Sequence, residues 1–204
     1  MIKVSSTMLT RTMIIAPLWA LSSVLLLTDL CTGADIIMES ADDKCRSLTS
    51  CSACLDKPDC TWCVTKSLCT KNHCGNDNII FPKNVEALMS GKTFCPRIVE
   101  SNQDLTFKSG KKDIISAKIT QIYLYMAFTP WKCKINLNGK ETIHPAVLIA
   151  DSVYCESLEL RNESENPFTE GSVTVLWDYN KAFDGSQRFK VCRCDLQPTC
   201  VACK

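Results

Sequence analysis

The sequence predicts two unlike parts behind an N-terminal signal peptide: a small disulfide-rich module and an all-β sandwich. Three observations predict this. An apolar run from Met13 to Leu27 lies close to the start, eight cysteines crowd between Cys45 and Cys95, and short β-branched segments alternate with turn residues from Leu105 to Val191.

The leader comes first. Lys3 and Arg11 precede the apolar run, which has the length of a secretory h-region and is short for a bilayer span. Thr32-Gly33-Ala34 supplies small residues before Asp35, so residues 1–34 are expected to be removed. No later stretch reaches 18 apolar residues, so the sequence predicts no membrane span beyond the leader and a secreted or extracellular chain. What remains has 21 basic and 21 acidic side chains and 14 cysteines. Even parity in an oxidising route favours disulfides over free thiolates. The whole chain of 204 residues, with 23 Lys+Arg against 22 Asp+Glu, lacks the positive field of a nucleic-acid binder. With 7 Gly and 8 Pro it is neither collagenous nor low-complexity.

The cysteine module is read over residues 43–98. About fifty residues bury too little apolar area to offset chain entropy, so covalent closure is required. Spacing alone leaves 105 pairings for eight cysteines. Cys51-Ser52-Ala53-Cys54 and Cys60-Thr61-Trp62-Cys63 are both C-x-x-C pairs, but only five residues separate them. Zinc ribbons usually leave about fifteen or more, and no βαβ pattern surrounds either pair to suggest a thioredoxin-like site. Structural disulfides are the expectation, with no metal and no cofactor.

The run Cys45-x5-Cys51-x2-Cys54-x5-Cys60-x-Trp62-Cys63-x5-Cys69-x4-Cys74, closed by Phe94-Cys95-Pro96, resembles the cysteine-rich (PSI) module shared by plexins, semaphorins and integrins. The resemblance implies the pairs Cys45–Cys60, Cys51–Cys95, Cys54–Cys69 and Cys63–Cys74, with Trp62 packed against a disulfide. Thr61 departs from the family, which commonly carries Gly there; a positive φ at that position would strain a threonine.

Polar Ser101-Asn102-Gln103-Asp104 links to the second module, read over 104–191. Ala117 to Tyr125 is β-branched and aromatic and reads as a strand. Trp131 to Leu137 runs into Asn138-Gly139, a strong hairpin signal. His144-Pro145 reads as a turn, Val147–Ala150 and Val153–Cys155 as short strands, Ser172–Trp177 as another, and Phe183-Asp184-Gly185 as a turn into Arg188–Val191. This spacing suggests an immunoglobulin-like sandwich, with Cys133 and Cys155 joined in one bridge. Trp131-Lys132-Cys133, Val153-Tyr154-Cys155 and Val173-Thr174-Val175-Leu176-Trp177-Asp178 occur in the order of the first immunoglobulin-like (IPT) domain of plexins, which the segment resembles. Asn162-Glu163-Ser164 is a glycosylation sequon in a polar stretch, which predicts a surface glycan.

Cys194-x5-Cys200-x2-Cys203 repeats the spacing of Cys45, Cys51 and Cys54. Residues 192–204 therefore read as the truncated start of a second cysteine module, with the pairing of Cys192, Cys194, Cys200 and Cys203 left open. Plexins carry a semaphorin-fold propeller ahead of the first module, whereas ten residues separate Ala34 from Cys45 here. His73 and His144 are isolated, and no G-x-S-x-G, H-E-x-x-H or phosphate-binding glycine loop is present, so no enzyme is expected. The resemblance implies a rigid stalk and protein-interaction module of a semaphorin receptor. Its partner would be an extracellular protein, a semaphorin-type ligand or co-receptor. The alternative is a free-standing secreted binding protein, a decoy or adhesion module without the propeller.

Overall fold

A computed structural model describes residues 44–72, 74–101, 105–120 and 122–204. The expected signal peptide, His73 and most of the polar link lie outside the described residues. In the cysteine module, helix α1 (Cys51–Leu55) packs on a small antiparallel sheet of β1 (Thr61–Cys63), β2 (Leu68–Thr70) and β3 (Ile79–Ile80), ordered β2-β1-β3. A 3-10 turn at Lys92–Phe94 leads through Cys95 and Pro96 to β4 (Arg97–Ile98). The core is largely sulfur: Cys45, Cys51, Cys54, Cys60, Cys63, Cys69, Cys74 and Cys95 are all buried, together with Trp62, Val64 and Ile80. The structure joins Cys45 to Cys60, Cys51 to Cys95, Cys54 to Cys69 and Cys63 to Cys74. Thr61 needs no glycine-like backbone. It lies in β1, where its hydroxyl donates to the Thr70 carbonyl at 3.1 Å, and the left-handed residue of that hairpin is Ser67, at φ 51°.

The second module is a β-sandwich of β5 (Leu105–Lys108), β6 (Lys112–Asp113), β7 (Ser116–Thr120), β8 (Trp131–Leu137), β9 (Lys140–Ile149), β10 (Ser152–Cys155), β11 (Leu158–Glu159), β12 (Phe168–Trp177), β13 (Lys181–Ala182) and β14 (Gln187–Cys192). The hydrogen-bonded path runs β4-β7-β10-β9-β8-β12-β14-β5, with β13 beside β12 and β5 parallel to β14. Its folding-over is visible in one distance. β8 and β10 both flank β9, and such strands lie about 10 Å apart in a flat sheet. Yet Cys133 of β8 and Cys155 of β10 are bridged, with Cα atoms 5.7 Å apart. The sheet therefore turns back on itself along β9, and the bridge crosses the resulting core. Ile115, Ala117, Ile119 and Val153 are buried from one layer, and Ile135, Val173, Val175, Phe189 and Val191 from the other.

Two local readings need correction. The strand expected to reach Tyr125 ends at Thr120, and Leu124–Phe128 form a 3-10 turn. Tyr123 and Tyr125 of this segment make a different contact, described below. His144-Pro145 is no turn either, since both lie within β9. Asn138 and Gly139 have φ of 53° and 77°, a type I′ turn that makes Leu137↔Lys140 a hydrogen-bonded pair. Counting along the ladder puts Pro145 opposite Lys132 at a non-bonded pair, so the missing N–H takes no bond from the β8–β9 ladder. Its carbonyl accepts from Glu156 N at 2.9 Å. The four terminal cysteines, left open by spacing, pair as Cys192–Cys200 and Cys194–Cys203. No helix among the described residues is long and apolar enough to cross a membrane.

Candidate functional site at the junction of the modules

A five-residue helix leaves its first N–H groups without intrahelical partners. In α1 the local residue serves only part of them: Ser50, the N-cap, accepts from Ala53 N at 3.3 Å through its hydroxyl and from Cys54 N at 3.0 Å through its carbonyl. The remaining two N–H groups are taken from far along the chain. Asp184, in the turn between β13 and β14, accepts from Cys51 N at 3.0 Å and from Ser52 N at 2.6 Å. The Ser52 hydroxyl donates to the same carboxylate at 2.6 Å. A negative group at a helix N-terminus is also favoured by the helix dipole. The sandwich thus caps the helix of the cysteine module.

The same turn holds the chain as it leaves that module. Asp184 N donates to the Pro96 carbonyl at 3.0 Å, and Ile98 N donates to the Asp184 carbonyl at 2.8 Å. β4 then joins the sandwich sheet, with Arg97↔Thr120 and Ile98↔Ile119, and Val99 N donates to the Lys118 carbonyl at 2.8 Å. Phe183 is buried and tilted against Trp131 at 5.6 Å between ring centroids, which fixes the turn from behind. Because Cys51 is bonded to Cys95, Asp184 grips both ends of one disulfide loop.

A second bond crosses the junction on the segment whose pattern suggests strand. After Thr120 the chain leaves the sheet and brings the Tyr123 hydroxyl to the Phe94 carbonyl, to which it donates at 3.3 Å. Tyr123 stacks on Tyr125 at 5.9 Å, and Tyr125 is tilted against buried Trp177 at 5.9 Å, so aromatic contact runs from the sandwich core towards the cysteine module. Burial, with a smaller contribution from Tyr125, pushes the Tyr123 phenol up to about 12, above the ordinary value of about 10. The folded protein then keeps a proton that the unfolded chain loses, so this contribution to stability is full below about pH 10 and is lost as pH rises towards 12. Tyr123→Phe is expected to abolish that alkaline loss and to cost about 1 kcal/mol at neutral pH, read by denaturant melts across pH.

Elsewhere, Trp62 is buried opposite Cys69 in the β1–β2 ladder. His144 is partly exposed, its ring Nε2 2.9 Å from the Thr142 hydroxyl. Cys45, Cys60 and Cys69 converge, as do Cys51, Cys95 and Asp184, but every sulfur in both groups is in a disulfide, which removes the thiolate that a metal would need. Asn162, expected on an exposed polar stretch, is instead buried at 6% exposure. Asp184 itself is legible in the sequence only as a turn residue, because its helix partners lie more than 130 positions away.

The family model of the plexin repeat matches residues 44–92, and that of the TIG domain found in plexin matches residues 103–192. Both modules are of the plexin type. Solved structures with the same fold include the full extracellular region of plexin A4, domains 1 to 8, at TM-score 0.56 and 19% identity over 73% of this chain. A second structure of that region, domains 1 to 10, matches with the same three values. The chain spans only 16% and 13% of the plexin A4 chains in those two structures. No protein of curated function matches it. In this chain of plexin-type modules the junction lies where the matched repeat and the matched TIG domain meet, and it is built from residues of both, Ser52 and Asp184 among them.

Proposed function

We propose that the chain acts as a non-enzymatic, rigid stalk and protein-interaction segment of a plexin-like receptor in cell-surface signalling. The observation that carries this reading is the double grip of Asp184 on α1 and on β4, which converts two modules into one lever. Covalent closure makes each module stiff, and the junction transmits their relative angle. A semaphorin-type ligand or co-receptor bound elsewhere on a longer receptor would then act through geometry rather than chemistry. The boundaries 43–98 and 104–191 are those of the two stiff bodies, and the route is secretory, ending in the extracellular space.

The test places residues 44–204, with all seven disulfides intact, in a plexin extracellular region, in place of that receptor's own pair of modules. Native and Asp184→Ala junctions are compared for ligand-dependent response at equal surface expression. The reading expects the native junction to support the response and the variant to lose most of it; equal responses contradict it. The closed pairs Cys192–Cys200 and Cys194–Cys203 favour a second reading, a free-standing secreted decoy or adhesion module. Saturable binding of the purified chain to cells separates the two.

A further inference from the structure

Asn162 heads the single Asn-x-Ser/Thr triplet in the 204-residue sequence, yet its side chain is engaged at both ends. Its Nδ2 donates to the Asn166 carbonyl at 3.0 Å. Its Oδ1 accepts from Ser164 N at 3.0 Å, from the Ser164 hydroxyl at 2.6 Å and from the Thr169 hydroxyl at 2.6 Å. Thr169, at 5% exposure, sits in the β12 strand, and Asn162 N donates to the Ser109 hydroxyl at 3.0 Å beyond the end of β5. The loop so closed is fastened to the end of β14. Arg193 N donates to the Pro167 carbonyl at 2.8 Å, and its guanidinium donates to the Ser164 carbonyl at 3.1 Å. Buried side-chain amides are retained where they satisfy backbone and hydroxyl groups in this way.

We infer that Asn162 is a structural lock for the β11–β12 loop and is carried without sugar in the folded protein, despite its sequon. An N-linked sugar replaces one Nδ2 hydrogen and leaves a secondary amide, whose bulky groups stay trans. The sugar carbon then lies on the same side as Oδ1. That flank already holds the Ser164 and Thr169 hydroxyls, each 2.6 Å from Oδ1. A sugar must also reach water, and a residue at 6% exposure offers it no exit. The serine that completes the sequon is therefore the serine that closes the lock. With no second sequon in the sequence, the faces of the sandwich are free of N-linked sugar.

The test uses the full chain secreted from a glycosylation-competent cell. Intact mass of the folded fraction is measured before and after peptide N-glycosidase, and thermal melts are compared for wild type, Asn162→Ala and Ser164→Ala. Both variants destroy the sequon, but Ser164→Ala keeps the Asn162 bonds to Asn166 and Thr169. The expected results are no mass change on enzyme treatment, a melting temperature lowered by about 6 °C in Asn162→Ala, and a loss of at most half that in Ser164→Ala. A sugar mapped to Asn162 in folded, disulfide-closed protein overturns the inference. So do equal melting temperatures for the two variants, the pattern expected if the triplet served only to carry a glycan.

Discussion

Asp184→Ala is expected to lower the stability of the linked modules by about 2–3 kcal/mol, the sum of a lost helix cap and of hydrogen bonds to a charged acceptor. The loss should exceed that of an ordinary cap. Removing the carboxylate strands the Cys51 and Ser52 N–H groups in a part-buried site, where water reaches them poorly. Asp184→Asn keeps one carbonyl acceptor and should fall between alanine and wild type. Ser52→Ala removes only the hydroxyl contact and should cost about 1 kcal/mol. Equilibrium denaturation under non-reducing conditions measures all three. The backbone bonds of Asp184 to Pro96 and Ile98 survive each substitution, so the expected result is a loosened junction and not a separated one.

Replacing Cys51 and Cys95 together by alanine is expected to be the most destabilising change, about 4 kcal/mol in the chain-entropy model for a separation of 44 residues. The shorter span of 22 residues between Cys133 and Cys155 predicts about 3.4 kcal/mol for the corresponding sandwich variant. The two should differ in a second respect. Cys51 is the first residue of the helix that Asp184 caps, and Cys95 precedes the Pro96 carbonyl that Asp184 N holds. Loss of that bridge should therefore weaken the effect of Asp184→Ala, giving a coupling of about 1 kcal/mol in a double-mutant cycle. Cys133 and Cys155 share no contact with Asp184, and their loss should be additive with Asp184→Ala. Denaturant melts of the single, paired and combined variants check both expectations.

How legible these features are depends on how far apart their causes lie in the chain. The cysteine module is written in short intervals around Trp62, so a local reading finds it. Its pairing does not follow from spacing and comes only through resemblance. The β8–β9 hairpin is equally local, because Asn138-Gly139 can supply two positive φ values where most residue pairs cannot. Tyr123 misleads because an aromatic residue beside β-branched ones reads as strand without naming its partner, and here its hydroxyl is bonded to the other module. Pro145 suggests a turn by its residue type. Whether a proline breaks a strand depends on which way its absent N–H would point, and that is a property of register. Asn162 sits among charged and polar neighbours that suggest exposure, while its burial arises from Ser109, Thr169 and Arg193, three contributions from separate segments. Asp184 is the extreme case, an ordinary turn aspartate in one dimension and a helix cap in three.

The most direct test of the rigid junction is the distance distribution between two non-cysteine spin labels, one at exposed Lys57 in the cysteine module and one at exposed Glu170 in the sandwich. One narrow distance is expected in the native chain and a clear broadening in Asp184→Ala. A broad native distribution, or a native width that the substitution leaves unchanged, would contradict the rigid junction.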